Sequence, residues 1–549
     1  MTLHRPLKVV VVGNGMVGSR FADELVRRSP DAFDVTVLGA EPYEPYNRVL
    51  LSDVVAGRTE VAAIGMPEVV GENVTVLRGV AAARIDRTAL TVTDEAGAVH
   101  PYDHLVLATG SQARVFAMPG LVDDDGEISL PGGVHALRDL DDAREIVAAT
   151  VNTTRAVVVG GGVLGVEAAF GLAARGLQVT LVDPAPAPMF RQLDPDAGAV
   201  LSAGLAANGV TVRSLVRPTE VLVAGGRAVG VRVDTGDGSE GDVLAAGLVV
   251  LTTGTVPRVE LARAAGLEVD RGVVVGPDLA SPTDPRVYAV GDCAQPPQGS
   301  LGLVAEGWDQ ARRLADSLAS LVVAQAEESR QQDSPREHLR LPQDGRRPSM
   351  AVRLGTLFAS RAPTDRGIDT RGTDVVKVKA GSLSVVAMGS CGAGRALVPG
   401  ERAVRLHDAS AGRFVEAIVS DGILVGATCV GDARVAADLT AAYTRRTPVP
   451  VDPAFLLLTA VMPSAEPAAS PEHMPDDATV CRCNGVTKHD ITSCWDEGAR
   501  TVEDVAAATR ATTGCGGCKD AVCGLTQWLA ETRDPDAAEP ASTSGMAAV

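Results

Sequence analysis

The sequence has no long apolar stretch. No segment approaches the roughly 20 uninterrupted apolar residues that a helix needs to cross a bilayer, although 46% of the 549 residues are hydrophobic. The N-terminus runs into a predicted strand without the apolar core of a secretory signal peptide. These absences exclude a membrane-spanning segment from the interpretation, and we expect a soluble, cytoplasmic protein with no membrane partner.

Positive charge is also scarce. The 50 lysines and arginines are outnumbered by 69 aspartates and glutamates, and the formal net charge is −19 at pH 7. A surface of this sign repels nucleic acid and anionic membranes, so we expect neither as a partner. A chain of 549 residues exceeds what one hydrophobic core supports, and several domains are predicted.

Cysteine is sparse, with nine in the chain, yet four are clustered near the C-terminus. Cys481 and Cys483 form a Cys-x-Cys pair, and Cys515 and Cys518 form a Cys-x-x-Cys pair beside glycines. In a reducing compartment such spacing favours metal binding over disulfides. Thiolates whose sulfurs accept backbone N–H bonds suit an electron-transfer iron–sulfur cluster, while the same residues could also form a structural zinc site.

A glycine motif near the N-terminus predicts a nucleotide site. Gly13, Gly15 and Gly18 lie between an apolar run at 9–12 and an amphipathic helix. The first two glycines allow a tight turn and the close approach of a pyrophosphate, and the third lets the helix pack on the strand. A second apolar run at 35–38 is followed by Glu41, the candidate ligand of a ribose.

Two later turns favour FAD over NAD in this first site. Thr109 and Gly110 follow the apolar run 105–108, which is similar to the turn with which flavoprotein chains return beneath the cofactor. Gly291 and Asp292 end a short predicted strand, from which the carboxylate can hydrogen-bond the ribityl chain of a flavin. Taken in sequence order, the three elements predict an FAD site.

The glycine motif occurs a second time, between the apolar runs 156–159 and 179–182. Asp183 ends the latter run, where an acid accepts both ribose hydroxyls of NADH and repels the 2′-phosphate of NADPH. We therefore expect NADH, with NADPH possible. Glu167 is a candidate nicotinamide-side contact, although a carboxylate early in a helix also interacts favourably with the helix dipole. The residues assigned to this site are Gly160, Gly162, Gly165, Glu167, Asp183 and Gly254.

Alternating strand and helix patterns over the first 320 residues predict an α/β fold with doubly wound parallel sheets. β-rich patterning follows, and Pro-rich stretches separate it from the cysteine module. The predicted organisation is an FAD-binding domain at 1–150 and 255–322, an NAD(P)H-binding domain at 151–254, a small α+β domain at 349–445, a linker at 446–478, the cysteine module at 479–532 and a disordered tail at 533–549.

Two nested nucleotide-binding folds resemble the glutathione-reductase-like flavoproteins, in which hydride passes from NAD(P)H to flavin. Disulfide reductases of that superfamily carry a redox-active cysteine pair in the segment that corresponds to 43–52, and this chain has no cysteine there. Thiol–disulfide chemistry is therefore not expected. The cysteine spacing resembles the small helical [2Fe-2S] domain of bacterioferritin-associated ferredoxin, which provides an outlet for single electrons.

Two segments make the family resemblance more specific. They are Pro-Tyr-Asn-Arg-Val-Leu-Leu-Ser at 45–52 and Leu-Val-Ala-Glu-Gly-Trp-Asp-Gln-Ala at 303–311. With the cysteine module, they resemble the flavoprotein portion of NAD(P)H nitrite reductase large subunits and of assimilatory nitrate reductase electron-transfer subunits. The resemblance implies that Arg48 and Arg138 line the FAD and that Glu306 or Trp308 lies near the isoalloxazine. The alternative is that Arg48 pairs with surface acids and that Trp308 belongs to the core.

The resemblance implies an NADH-oxidising protein that contains FAD and a [2Fe-2S] cluster. The sequence has no further paired-cysteine motif of a sirohaem region and no molybdopterin-type domain. We therefore expect the electrons to pass to a separate catalytic nitrate or nitrite reductase subunit. Two alternatives stay open: a ferredoxin or rubredoxin reductase that serves an oxygenase, and a flavin reductase whose zinc-bound cysteine module acts in docking or redox sensing.

Overall fold

A computed structural model describes residues 5–236, 241–333, 373–381, 383–393, 395–458, 471, 474–481, 484–514 and 518–533. The helices are α1 Met16–Arg28, α2 Leu51–Ala56, α3 Leu140–Thr150, α4 Val163–Ala174, α5 Pro195–Ala207, α6 Glu260–Ala264, α7 Val304–Asp333, α8 Ala433–Arg445, α9 Lys488–Asp496, α10 Val502–Thr509 and α11 Lys519–Arg533. Short 3-10 helices span Arg48–Leu50, Val61–Ile64, Gly291–Cys293 and Pro453–Leu457.

The strands of the two nucleotide-binding units are β1 Leu7–Val12, β2 Phe33–Gly39, β3 Val74–Arg78, β4 Ala82–Asp86, β5 Thr91–Asp94, β6 Val99–Pro101, β7 His104–Leu107, β8 Ser111–Ala113, β9 Val134–Ala136, β10 Arg155–Val159, β11 Gln178–Asp183, β12 Val210–Ser214, β13 Arg217–Ala224, β14 Arg227–Asp234, β15 Asp242–Ala245, β16 Leu248–Leu251, β17 Thr255–Pro257, β18 Val273–Val274, β19 Ala280–Ser281, β20 Asp284–Ala289 and β21 Ala294–Gln295.

The remaining strands are β22 Val376–Ala380, β23 Leu383–Gly389, β24 Glu401–Asp408, β25 Arg413–Ser420, β26 Ile423–Val430, β27 Thr479–Cys481 and β28 Val486–Thr487. Among the residues that the structure describes, no helix has the length and apolar character needed to span a membrane.

The first sheet has the order β19-β20-β7-β1-β2-β3. Its central strands pair in parallel, and their valine-rich sequences are buried because helices and loops cover both faces. Strand β20 enters this sheet only after the chain has completed a second one. The prediction of two nested dinucleotide-binding units is therefore confirmed.

The second sheet, β12-β11-β10-β16-β9, is parallel throughout. Its edge strand β9 pairs with β16, so this sheet takes up chain from well before residue 151. Helix α3 contacts β9 and β16 and begins with a capping box formed by Asp139 and Asp142. The structure thus places β9 and α3 with the second sheet rather than with the predicted FAD unit 1–150.

The small domain is a five-stranded antiparallel sheet of order β22-β23-β26-β25-β24 with α8 against one face. Its other face joins the core of the second nucleotide-binding unit, where Leu383 packs against Gly204 and Phe170 against Gly381. The 3-10 helix Pro453–Leu457 packs on β24 and β25, and Leu457 is buried. The first part of the predicted linker 446–478 therefore belongs to this domain, because it supplies apolar side chains to the domain core.

The cysteine module is a small helical unit with the short ribbon β27-β28. Capping boxes begin both α9 and α10: the Thr487 and Thr501 hydroxyls accept N–H bonds three residues on, and Asp490 and Asp504 accept in return. The helices enclose a core around Trp495. The predicted tail 533–549 lies outside the described residues except for Arg533, the last residue of α11.

Replacement of Leu457 by alanine tests whether the 3-10 helix is part of the small domain. We expect the free energy of unfolding to fall by about 2–5 kcal/mol, because the change removes buried methyl groups and leaves a cavity. Phe455→Ala in the same helix is the control, since that side chain is 59% exposed. Equal denaturant midpoints for the two variants would contradict the packing role.

Candidate functional site

The first glycine motif forms the turn between β1 and α1. A Cβ at Gly13 would lie 2.1 Å from the Ala108 carbonyl oxygen, and one at Gly18 would lie 1.9 Å from the Gly13 oxygen. Glycine at these two positions is therefore required by packing. A Cβ at Gly15 would meet no atom within 4 Å. The open space at Gly15, at the start of α1, is where a pyrophosphate would approach the backbone.

A cavity of about 2120 Å³ runs along the carboxyl ends of the first sheet and continues between the domains. The neighbouring Asn14 has buried amide nitrogen and oxygen atoms without hydrogen-bond partners in the structure. An elongated cofactor in this cavity would supply the missing partners, so the site fits FAD. The predicted residues that line the cavity are Gly13, Gly15, Glu41, Arg48, Thr109, Gly110, Arg138, Glu167, Gly291, Asp292 and Trp308.

Glu41 lies just beyond β2, where the ribose ligand is expected. Its carboxylate accepts hydrogen bonds from the Arg48 guanidinium and, at 2.7 Å, from the Tyr46 hydroxyl. The Tyr46 oxygen also accepts from the backbone N–H of Leu140 at 3.0 Å. Burial raises the pKa of Tyr46, which therefore stays protonated and able to donate. Arg48 thus lies on the cavity wall and pairs with Glu41.

Arg138 and Asp292 come from separate parts of the chain and meet at 2.6 Å. Ser111 joins them: its hydroxyl donates to Asp292 at 2.8 Å and lies 2.7 Å from an Arg138 nitrogen. Gly291, at φ +75°, makes the turn that presents Asp292, and its N–H donates to Gln310 at 2.8 Å. Neither Ser111 nor Gln310 is among the site residues that the sequence predicts, although Gln310 lies in the segment 303–311.

Trp308 and Glu306, both near the start of α7, have different surroundings. The buried Trp308 indole donates to the Met16 oxygen at 2.9 Å and lines the cavity. The Glu306 carboxylate instead accepts the Leu301 N–H at 2.8 Å and the Ser300 hydroxyl at 3.4 Å. Burial raises the pKa of Glu306. Glu306 is not among the residues that line the cavity but fixes a loop that does.

The second glycine motif has the same construction. A Cβ at Gly160 would lie 2.6 Å from the Thr252 oxygen, one at Gly165 would lie 1.8 Å from the Gly160 oxygen, and one at Gly162 would meet open space. Asp183, at the end of β11, accepts the N–H of Ala185 at 2.7 Å and that of Gly161. Gly254, at φ +96°, follows β16 in the adjoining turn.

Glu167 is on α4, buried, and directed toward the first unit rather than toward the turn. It accepts a hydrogen bond from the Ser52 hydroxyl at 2.5 Å and lines the same cavity as the first glycine turn. This hydrogen bond joins α4 to α2, where the two nucleotide-binding units meet. The structure therefore places Glu167 between the two units, which is where a nicotinamide must meet a flavin for hydride transfer.

The described part of the cysteine module brings Cys481 and Cys518 together. A hydrogen bond from the Cys518 thiol lowers the pKa of Cys481 to about 6. The Thr512 N–H donates to the Cys518 sulfur at 3.2 Å, and the Asn484 amide donates to the Cys481 sulfur at 3.6 Å. Adjacent, N–H-solvated thiolates suit an iron–sulfur cluster. Cys483 and Cys515 lie outside the described residues.

The cysteine module and the nucleotide-binding units share one cavity. Thr479 and Gly485, on either side of the Cys-x-Cys pair, line the same cavity as the first glycine turn. A family model for pyridine nucleotide-disulphide oxidoreductases matches residues 7–312, more than half of the chain. The chain belongs to the pyridine nucleotide-disulphide oxidoreductase family.

A second model, the BFD-like [2Fe-2S] binding domain, matches residues 479–526. Together the two models confirm the expected cofactors: FAD and NAD(P)H for the oxidoreductase units and a [2Fe-2S] cluster for the cysteine module. This member of the pyridine nucleotide-disulphide oxidoreductase family departs from the disulfide reductases in the segment 43–52, which has Ser52 and no cysteine.

Curated relatives match almost the whole of this oxidoreductase chain. It is 29% identical to a nitrite reductase [NAD(P)H] of Bacillus subtilis over 94% of this chain and 57% of that protein. It is 28% identical to the assimilatory nitrate reductase electron transfer subunit of the same organism, over 98% of this chain and 61% of the relative. The chain thus spans less than two thirds of these relatives. A rhodocoxin reductase of Rhodococcus erythropolis is 34% identical over 57% of this chain and 72% of that protein.

Replacement of Gly15 and, in a second variant, of Gly18 by alanine distinguishes an effect on FAD binding from an effect on folding. Gly15→Ala leaves the fold intact, because its Cβ meets open space, and we expect loss of bound FAD from the purified protein. Gly18→Ala drives α1 away from the turn and lowers thermal stability with or without added FAD. The measurements are the flavin absorbance per chain and the melting temperature. A Gly15→Ala protein with a full complement of FAD would refute the assignment of the pyrophosphate site.

Proposed function

We propose that the protein is an NADH-dependent electron-transfer flavoprotein that supplies a separate catalytic nitrate or nitrite reductase subunit. One observation carries this proposal: a single cavity is lined by the first glycine turn, by Glu167 between the two nucleotide-binding units, and by Thr479 and Gly485 beside the Cys-x-Cys pair. The NADH site, the FAD site and the cysteine module then adjoin one another. The relatives that match nearly the whole chain, module included, support the choice of acceptor.

The residues of the first site would hold FAD as follows. The turn at Gly13, Gly15 and Gly18 presents N–H groups and the positive end of the α1 dipole to the pyrophosphate. Glu41, oriented by Arg48, would accept from the ribose. Asp292, oriented by Arg138, would accept from the ribityl chain, and the turn at Thr109 and Gly110 lines the same cavity.

The second site would hold NADH through Gly160, Gly162 and Gly165 at the pyrophosphate and through Asp183 at the ribose. Gly254 leaves room beside it. Glu167 keeps the two units in fixed relative position through Ser52, and Trp308 excludes water from the cavity wall. Cys481, Cys483, Cys515 and Cys518 would hold the [2Fe-2S] cluster. The bound cofactors would supply hydride transfer between NADH and flavin and single-electron transfer between flavin and cluster.

A reductase for a ferredoxin-type protein is the second candidate, and the rhodocoxin reductase match favours it. That match covers 57% of this chain, whereas the nitrite and nitrate reductase relatives cover 94% and 98%. The electron-accepting module is thus built into this chain, which favours the first candidate. Steady-state NADH oxidation with a purified assimilatory nitrate reductase catalytic subunit, compared with a ferredoxin or rubredoxin, would decide between them.

Anaerobic titration of the purified protein with NADH tests the internal electron path. We expect bleaching of the flavin absorbance together with a rhombic [2Fe-2S] signal in low-temperature EPR. Addition of oxidised acceptor should reverse both changes. A bleached flavin without the EPR signal, with zinc found by metal analysis, would contradict the path and support a docking or sensing role for the module.

Replacement of Asp183 by serine tests the choice of dinucleotide. The change removes a carboxylate that would lie against the 2′-phosphate of NADPH, so we expect the ratio of kcat/KM for NADH to that for NADPH to fall at least about tenfold. Asp234→Ser, at the exposed end of β14, is the control. An unchanged ratio would show that another residue selects the dinucleotide.

A further inference from the structure

We propose that Asp23 and Asn47 are positioning residues that hold the cysteine module against the FAD cavity, and that flavin-to-cluster transfer takes place in this docked arrangement. The inference rests on the proposed function and deepens it, because it names the contacts on which the transfer depends. The docking interface consists of Arg20, Asp23 and Asn47 on the first nucleotide-binding unit and of Asn484, Arg510 and Thr513 on the module.

The centre of the docking interface is a buried ion pair. The Asp23 carboxylate of α1 lies 2.8 Å from the Arg510 guanidinium, and the two side chains are only 10% and 4% exposed. Asp23 also pairs with the more exposed Arg27 of its own helix. Arg510 lies directly after α10, and its φ of +63° is in the left-handed region that few non-glycine residues adopt. A buried guanidinium is costly without a carboxylate, so Arg510 ties the module to α1.

A second contact involves Asn484, the residue that directly follows the Cys-x-Cys pair in the sequence. Arg20 of α1 donates to the Asn484 side-chain oxygen at 2.8 Å. The Asn484 amide nitrogen consequently points the other way, toward the Arg510 oxygen at 2.6 Å and the Cys481 sulfur at 3.6 Å. The Arg20 guanidinium also lies 5.7 Å above the Trp308 ring. The Arg20 side chain therefore contacts both Trp308 on the cavity wall and Asn484, whose amide donates to the Cys481 sulfur.

Asn47 makes the third contact. Its side-chain oxygen binds within the first nucleotide-binding unit, and its side-chain nitrogen binds the module. Its oxygen accepts the Val49 N–H at 3.0 Å and caps the 3-10 helix that carries Arg48 into the cavity. Its nitrogen donates to the carbonyl oxygens of Thr513, at 2.8 Å, and Gly514. Gly514 directly precedes Cys515. Asn47 thus links the wall of the FAD cavity to the two residues that precede Cys515 in the sequence.

The placement of these contacts is what distinguishes positioning from ordinary packing. All of them end on Asn484 and on residues 510–514, which are next to the cysteine pairs in the sequence, rather than on α9 or α11. Electron transfer becomes slower steeply as the distance between donor and acceptor grows. Contacts that fix Asn484 and residues 510–514 against the first nucleotide-binding unit therefore control the rate of the internal step.

Two nearly isosteric substitutions test the inference. Asp23→Asn removes the charge that pairs with Arg510, and Asn47→Asp keeps the cap on Val49 but replaces the donor to Thr513 and Gly514 by an acceptor. Asp316→Asn is the matched control, because Asp316 also pairs with an arginine of α1, Arg28, at an exposed position away from the module. Asp23→Glu, which retains the carboxylate, is the rescue variant.

The first readout is structural and needs no turnover. In Asp23→Asn and Asn47→Asp we expect faster amide hydrogen exchange in α1 and in residues 510–514 and a larger radius of gyration by small-angle X-ray scattering. The second readout is stopped-flow absorbance after mixing with NADH. Flavin reduction should keep its wild-type rate, while cluster reduction slows at least about tenfold because the docked state is less populated. The EPR spectrum of the chemically reduced cluster should not change.

The outcomes separate this inference from the proposed function. If both variants reduce the cluster at the wild-type rate and exchange like the Asp316→Asn control, the docking interface does not position the module and the inference is wrong. If the wild-type cluster is never reduced by NADH, the proposed function fails instead, and the exchange and scattering data still report whether the module is docked. Cluster reduction at the wild-type rate in Asp23→Glu would support a specific role for the carboxylate.

Discussion

The whole site depends on two close contacts between a helix and the turn that precedes it. At Gly18 and at Gly165 there is no space for a Cβ, because the carbonyl oxygen of the motif's first glycine, Gly13 or Gly160, lies against the helix. Each contact brings the helix N-terminus to the end of the strand, so that N–H groups and a positive dipole face the nucleotide. The sheets, the cavity and the cysteine module are arranged around these two turns.

Local chemistry explains which parts of this arrangement the sequence predicts. The glycine turns, the valine-rich parallel strands and the acid at the end of β11 depend on residues close together in the chain, and each lies where the pattern indicates. The Arg138–Asp292 pair and the Asn47–Thr513 bond join residues far apart in sequence. Such pairs follow from the packing of whole units, which no local pattern encodes. The same reason applies to Glu306, whose carboxylate binds the loop beside it rather than lining the cavity.

Domain boundaries also depend on packing that local sequence patterns do not encode. The chain of β9 looks like part of a loop between the two units, and only its pairing with β16 assigns it to the second sheet. Likewise Pro453–Leu457 lies in a stretch rich in proline, but the segment packs on β24 and β25 and Leu457 is buried. Composition identifies segments with weak secondary-structure preference. Whether such a segment stays free depends on the surface that it meets in the folded protein.

The late return of β20 to the first sheet has a consequence for the order of assembly during synthesis. Strands β1 and β7 are made early, but β20, which pairs with β7, follows the entire second sheet in the chain. The second sheet, whose strands lie between residues 134 and 251, is complete before that pairing partner has been synthesised. A sheet edge without its neighbour exposes unpaired backbone groups and apolar side chains. The nested topology therefore leaves the β7 edge of the first sheet without its neighbour until residues 284–289 have been synthesised.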